Sequence, residues 1–93
     1  MFPIGCFIKV NTKIDLHIKI MENIKQKVGE RIRFLRNDKN ISQEELANSA
    51  GMARGFISGV ETGKRNITVE TLGKILVVLD LSYSKFFEHQ SFN

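Results

Sequence analysis

The spacing of apolar residues along this chain changes once, close to Met21. Isoleucine or leucine fills every second position from 14 to 20, with polar or charged residues between them. This alternation has the period of a half-buried strand, so we expect residues 1–20 to be a strand-like or disordered extension. After Met21 the apolar residues recur every three or four positions, which predicts helices. The sequence therefore predicts an all-α domain over residues 21–93 that is complete without the extension, so we expect the extension to be dispensable for folding.

The first predicted helix begins at Met21 and ends near Asn37. Its apolar residues lie at helical spacing on one side, and they are Ile24, Val28, Ile32 and Leu35. The arginines between them are expected on the solvent face of this helix, and they are Arg31, Arg33 and Arg36.

Two short helices are predicted next, and each has a recognisable boundary. Ser42 followed by Glu45 is a capping box, so a second helix begins at Gln43. It stops at Gly51, because glycine readily adopts the left-handed conformation that ends many helices. A third helix spans roughly residues 54–61 and is broken by Gly63.

The last two predicted helices begin at hydroxyl residues. Thr68 caps a fourth helix and Ser82 caps a short fifth one. The fourth helix carries the apolar stripe Leu72, Ile75, Leu76 and Leu79, and the fifth holds Phe86 and Phe87.

The segment QEELANSAGMARGFISGVE joins the second and third helices through a tight turn at Gly51. Ala47, four residues before this glycine, is small enough for the two helices to cross closely. Ile57 and Val60 follow the glycine by six and nine residues, at positions that face a core. These spacings indicate a helix-turn-helix.

Residues 24–87, about two thirds of the chain, resemble the Cro/C1-type (XRE) helix-turn-helix family. The runs FISGVETGKRNITVETL and LDLSYSKFFE are similar to the controller proteins of bacterial restriction-modification systems. The resemblance implies a five-helix, repressor-like DNA-binding domain, active as a small dimer. It also implies that the third helix enters the major groove while the start of the second lies against the phosphate backbone.

The third helix carries the expected base contacts, Arg54, Gly55 and Ser58. Arg54 and Ser58 are four residues apart and share a helical face opposite the apolar side. An arginine at this position can bind O6 and N7 of a guanine. Gly55 and Gly59 add no bulk beside it, and we interpret both as clearance for DNA. Ala53 departs from the family pattern, because alanine cannot cap this helix through its side chain.

The expected phosphate contacts flank the third helix on both sides. Gln43 lies at a helix start, where free N–H groups and the helix dipole favour an anion. The remaining residues of this group lie beside Gln43 or around the third helix, and they are Ser42, Phe56, Thr62, Lys64, Arg65 and Asn66. Such contacts fix the register of the protein on DNA and carry no sequence information.

The C-terminal aromatics predict a dimer interface. Three of them fall within five residues, more than one short terminal helix usually buries alone. Val77 is apolar where related sequences often have lysine. The expected interface residues are Val77, Tyr83, Phe86 and Phe87.

Charge and composition are compatible with this interpretation and exclude others. The 93-residue chain has a net charge of +4, and nine of its fourteen basic residues lie between Lys25 and Arg65. A single cysteine, Cys6, and the lack of a signal-peptide pattern favour the cytoplasm. Charged residues at positions 9, 13, 15 and 19 interrupt the longest apolar stretches, which excludes a membrane span. No metal-ligand cluster, cofactor motif or nucleophile–base pair occurs in the sequence, so we expect no metal, no cofactor and no enzymatic activity.

Two other functions remain open at the level of the sequence. The same fold serves antitoxins, and strand-like residues 7–20 are a candidate toxin-binding segment. A phage-type repressor is the second alternative, although no second dimerisation domain follows Phe87. If the protein is a transcriptional regulator, its expected partners are a double-stranded DNA operator and a second copy of the chain. RNA polymerase is a further candidate partner.

Overall fold

The computed structural model describes residues 23–89 and Phe92, and the predicted extension over residues 1–20 lies outside them. The described chain forms five helices, as the sequence predicted. They are α1 (residues 23–38), α2 (Gln43–Ala50), α3 (Arg54–Glu61), α4 (Val69–Leu79) and α5 (Tyr83–Phe87).

The predicted caps are confirmed. The backbone N–H of Glu45 donates to the Ser42 hydroxyl and the Glu45 carboxylate accepts from the Ser42 N–H, which completes the capping box. Thr68 accepts in the same way at α4 and Ser82 at α5. Because each cap satisfies N–H groups that a helix leaves unpaired at its start, these side chains fix where three of the helices begin.

All five helices contribute to a single apolar core. The predicted inward residues Ala47 of α2, Ile57 and Val60 of α3 and the apolar stripe of α4 are buried. Ile24 of α1 differs from its predicted pattern and is 47% exposed. The buried apolar side chains are Val28, Ile32, Leu46, Ala47, Ile57, Val60, Leu72, Ile75, Leu76, Leu79 and Phe86.

The turn between α2 and α3 has the predicted geometry. Gly51 has a φ of 72°, in the left-handed region that favours glycine. The N–H of Met52 donates to the carbonyl oxygen of Ala47 at 2.8 Å, which closes the end of α2. Ala47 is 1% exposed. Because a larger residue there would push α2 and α3 apart, the small side chain of Ala47 sets how closely and at what angle the two helices cross.

A buried ion pair joins α1 to the end of α3. Arg36 Nε donates to Glu61 Oε2 at 2.7 Å, and Arg36 Nη2 donates to Glu61 Oε1 at 3.0 Å. Arg36 Nη1 also donates to the carbonyl oxygen of Ile41 at 2.8 Å. The prediction of Arg36 on the solvent face is therefore wrong. Arg31 differs too, because its Nε donates to the carbonyl oxygen of Phe86 at 3.1 Å and closes the end of α5.

The position of Phe86 differs from the sequence prediction, which placed it in a dimer interface. Its side chain is 0% exposed and lies in the core. The ring contacts Phe87 edge-on, with the two ring centroids 4.9 Å apart. A fully buried ring presents no surface to a second chain, so Phe86 stabilises the protomer and is removed from the predicted interface.

Candidate nucleic-acid interface

Helix α3 has one buried side and one exposed side. Ile57 and Val60 are buried in the core, while Arg54 and Gly55 are exposed and Ser58 is partly exposed. The structure thus brings the three predicted base-contact residues together on the outward side of α3. No side-chain hydrogen bond caps this helix at Ala53, as its residue type predicted.

The two glycines of α3 lie in different surroundings. A Cβ atom added to Gly55 would meet nothing within 4 Å, so the surface at this position is open. A Cβ atom added to Gly59 would lie 2.5 Å from Cγ of Arg65. The space beside Gly59 is therefore filled by the protein itself, which corrects its interpretation as clearance for DNA.

The turn that follows α3 carries the predicted phosphate contacts. Lys64, Arg65 and Asn66 are all exposed. The guanidinium carbon of Arg65 lies 5.9 Å from the centroid of the partly buried Phe56 ring, a cation–π contact. The hydroxyl of Thr62 donates to the carbonyl oxygen of Ser58 at 3.0 Å, and it thereby helps to end α3.

At the start of α2, the two predicted phosphate-contact side chains already make hydrogen bonds within the protein. The Ser42 hydroxyl accepts the capping hydrogen bond from the Glu45 N–H at 3.0 Å. Gln43 is partly buried, and its side-chain Nε2 donates to Glu61 Oε1 at 3.1 Å. This bond fixes the orientation of the Gln43 amide relative to α3. One of the two N–H donors of the Gln43 amide is therefore already used within the protein.

The exposed charge on α3 and the turn after it is positive. The exposed charged side chains between residues 54 and 66 are Arg54, Lys64 and Arg65. Glu61 is buried and accepts two hydrogen bonds from Arg36, which raise the pKa of the Arg36 guanidinium above its ordinary value. The charge of Glu61 is neutralised within the protein, so the outward side of α3 and the turn after it attract an anion.

The predicted interface residues other than Phe86 are exposed on α4 and α5. Val77 is 80% exposed, and Tyr83 and Phe87 are each 41% exposed. The Tyr83 hydroxyl donates to the carbonyl oxygen of Val69 at 2.7 Å, which fixes the ring against the start of α4. Val69 is 73% exposed and was missed by the sequence analysis, although its spacing of eight residues from Val77 places both on the same side of α4.

Residues 23–89 and Phe92 include one histidine, His89, and no cysteine. Within this part of the chain no cluster of histidine, cysteine, aspartate or glutamate could hold a metal ion. No helix found there is long and apolar enough to cross a membrane. Cys6 and His17 lie outside the described residues.

Residues 32–86 match a family model described as helix-turn-helix. The chain belongs to this family, in its Cro/C1-type (XRE) branch. Within that branch it is similar to control proteins of restriction-modification systems. The control protein C.SmaI of Serratia marcescens is 38% identical over 76 residues, which cover 82% of this chain and 89% of C.SmaI.

Two solved structures of controller proteins support the same placement. C.AhdI from Aeromonas hydrophila superposes with a TM-score of 0.65 and 38% identity, covering 68% of this chain and 96% of C.AhdI. The C.Esp1396I tetramer in complex with its natural 35-base-pair operator also gives a TM-score of 0.65 and 38% identity, covering 69% of this chain and 84% of that protein. The identification as a Cro/C1-type helix-turn-helix protein similar to controller proteins is confirmed.

Proposed function

We propose that this protein is a sequence-specific transcriptional regulator of the controller type, which binds a pseudo-palindromic DNA operator as a homodimer. The observation that carries the proposal is the outward side of α3. There Arg54 projects beside the open surface at Gly55, and basic residues of the following turn flank it. A cationic helix of this kind fits the major groove, where its side chains reach base edges.

The exposed positions of these side chains support separate roles in base and phosphate contact. Arg54 and Ser58, with Gly55 between them, read bases. Lys64 and Arg65, together with the start of α2, bind phosphates on either side and hold α3 in register. Residues 21–93 form the DNA-binding and dimerisation unit. The proposed function includes no catalytic activity. The protein would carry it out in the cytoplasm, where the DNA is.

The controller role is favoured over an antitoxin or a phage-type repressor by the extent of the similarity. The aligned region covers 89% of C.SmaI and 96% of C.AhdI, so nearly the whole of each relative is accounted for. A regulator of this kind acts on its own gene and on the linked endonuclease gene, with RNA polymerase as the partner in activation. Selecting bound sites from random DNA and locating them upstream of the protein's own gene would test this assignment.

Arg54→Ala is expected to weaken operator binding by about 1–3 kcal/mol and to relax the preference at one base pair in each half-site. The cause is loss of a bidentate contact to a base. A titration against the selected operator and its single-base variants measures both effects. Arg33→Ala removes the same charge from an exposed position on α1 and serves as the control. Equal weakening of operator and random DNA by Arg54→Ala would contradict its role as a base reader.

Val77→Glu is expected to convert the dimer to a monomer, because it places a carboxylate in the apolar surface formed with Tyr83 and Phe87. Two-fold symmetry requires half-sites about 34 Å apart, one turn of duplex, so the monomer should also lose operator affinity. Sedimentation velocity measures the oligomeric state. Phe34→Glu changes another exposed apolar residue, on α1, and should leave the dimer intact. A wild-type chain that sediments as a monomer at micromolar concentration, with and without operator, would rule out this interface.

A further inference from the structure

We infer that Gly59 is a positioning residue that lets the Arg65 side chain lie across α3, ready to bind a DNA phosphate. The inference deepens the proposed function and rests on it. Gly59, in the middle of α3, would then arrange the arginine that follows the helix.

The backbone after α3 folds back onto Gly59. Gly63 has a φ of 75°, in the left-handed region. The N–H of Lys64 donates to the carbonyl oxygen of Gly59 at 2.9 Å, and the N–H of Gly63 donates to that of Val60 at 3.1 Å. These two bonds form a Schellman motif. The N–H of Arg65 also donates to the Gly59 carbonyl, at 3.1 Å, so the backbone of Arg65 is held above Gly59.

The side chain of Arg65 uses the space that glycine leaves. A Cβ atom added to Gly59 would lie 2.5 Å from Cγ of Arg65, 3.4 Å from its Cβ and 3.6 Å from its Cδ. The aliphatic stem thus packs directly on the Gly59 backbone. The guanidinium then reaches the face of Phe56, which lies one helical turn before Gly59 on the same side of α3.

Two contacts therefore order an exposed arginine before any ligand is present. An arginine ordered in this way loses less side-chain entropy when it binds a phosphate. Alanine at position 59 would force the stem to rotate away and would separate the guanidinium from Phe56. The same substitution favours the helix itself, because glycine is a poor helix former. The DNA affinity is therefore expected to fall while the stability of the fold stays the same or rises.

The test is a double-mutant cycle of Gly59→Ala and Arg65→Ala, titrated against operator and random duplexes over a range of salt concentrations. Gly59→Ala should weaken binding to both duplexes about five- to tenfold. It should also reduce the dependence of the affinity on salt concentration by the amount expected for about one phosphate contact. In the Arg65→Ala background it should have almost no further effect. The midpoint of urea unfolding for Gly59→Ala should be unchanged or higher.

If Gly59→Ala weakened DNA binding by the same factor in the wild-type and Arg65→Ala backgrounds, the inference would be overturned. The added methyl group would then clash with the DNA directly. Unchanged binding by Gly59→Ala would overturn it as well. NMR of the free protein tests the positioning without DNA. The Arg65 Hε resonance should carry a ring-current shift from Phe56 that Gly59→Ala removes, and a resonance insensitive to the substitution counts against the inference. Failure of the proposed function is a separate outcome, in which the wild-type chain selects no DNA sequence at all.

Discussion

Glu61→Ala is expected to lower the free energy of unfolding by about 3–5 kcal/mol, the usual effect of removing one partner of a buried ion pair. Glu61 is 4% exposed and Arg36 is 8% exposed, so little water is available to replace the lost carboxylate. The substitution leaves the Arg36 guanidinium with the Ile41 carbonyl as its remaining acceptor, and it also removes the acceptor of the Gln43 amide. Urea unfolding followed by circular dichroism measures the change.

Two variants distinguish a buried charge from loss of packing. Arg36→Met combined with Glu61→Leu replaces the pair by apolar side chains, and it should recover most of the stability, because neither charge is then left unpaired. Glu88→Ala removes one partner of the exposed pair with Lys85, whose side chains are 70% and 68% exposed. Exposed pairs contribute less than about 1 kcal/mol, so this variant should unfold almost as the wild type does. Similar losses for Glu61→Ala and Glu88→Ala would contradict the importance of burial.

The boundaries of the helices could be predicted from the sequence because they depend on local chemistry. A hydroxyl residue at positions 42, 68 and 82 caps a helix through its own neighbouring backbone, and Gly51 ends one through its own φ. The outward side of α3 was predictable for a similar reason. Once Ile57 and Val60 face the core, helical geometry alone places Arg54 and Ser58 on the opposite side.

The buried ion pair was missed because it depends on two distant residues at once. Arg36 follows Ile32 by four positions and Glu61 follows Ile57 by four, so each charge continues an apolar stripe. Read alone, each appears to be a polar residue at the edge of a helix. The spacing was a usable signal, since opposite charges on two inward stripes of adjacent helices can neutralise each other.

The surroundings of Gly59 and Phe86 could not be read from the sequence for a different reason. Gly63 indicated where the chain turns after α3, but the packing of Arg65 on Gly59 depends on the path of the Arg65 side chain after that turn, which the residue types do not specify. Adjacent aromatics at 86 and 87 have nearly equal hydrophobicity, and the choice of which one enters the core is made by the docking of α5 on α1 and α4.

Phe86→Ala is expected to lower the free energy of unfolding by about 3–5 kcal/mol, because removing a fully buried ring leaves a cavity that the surrounding helices only partly fill. Phe87→Ala is the matched control, since the same ring is removed from a position that is 41% exposed, and it should cause a clearly smaller loss. The comparison is made by urea unfolding at a protein concentration where sedimentation shows monomers, because dimer formation adds stability that depends on concentration. At higher concentration the loss caused by Phe87→Ala should grow, as its ring joins the proposed interface, while the loss caused by Phe86→Ala arises within each protomer and stays. A larger loss for Phe87→Ala than for Phe86→Ala among monomers would show that the two rings exchange roles in solution.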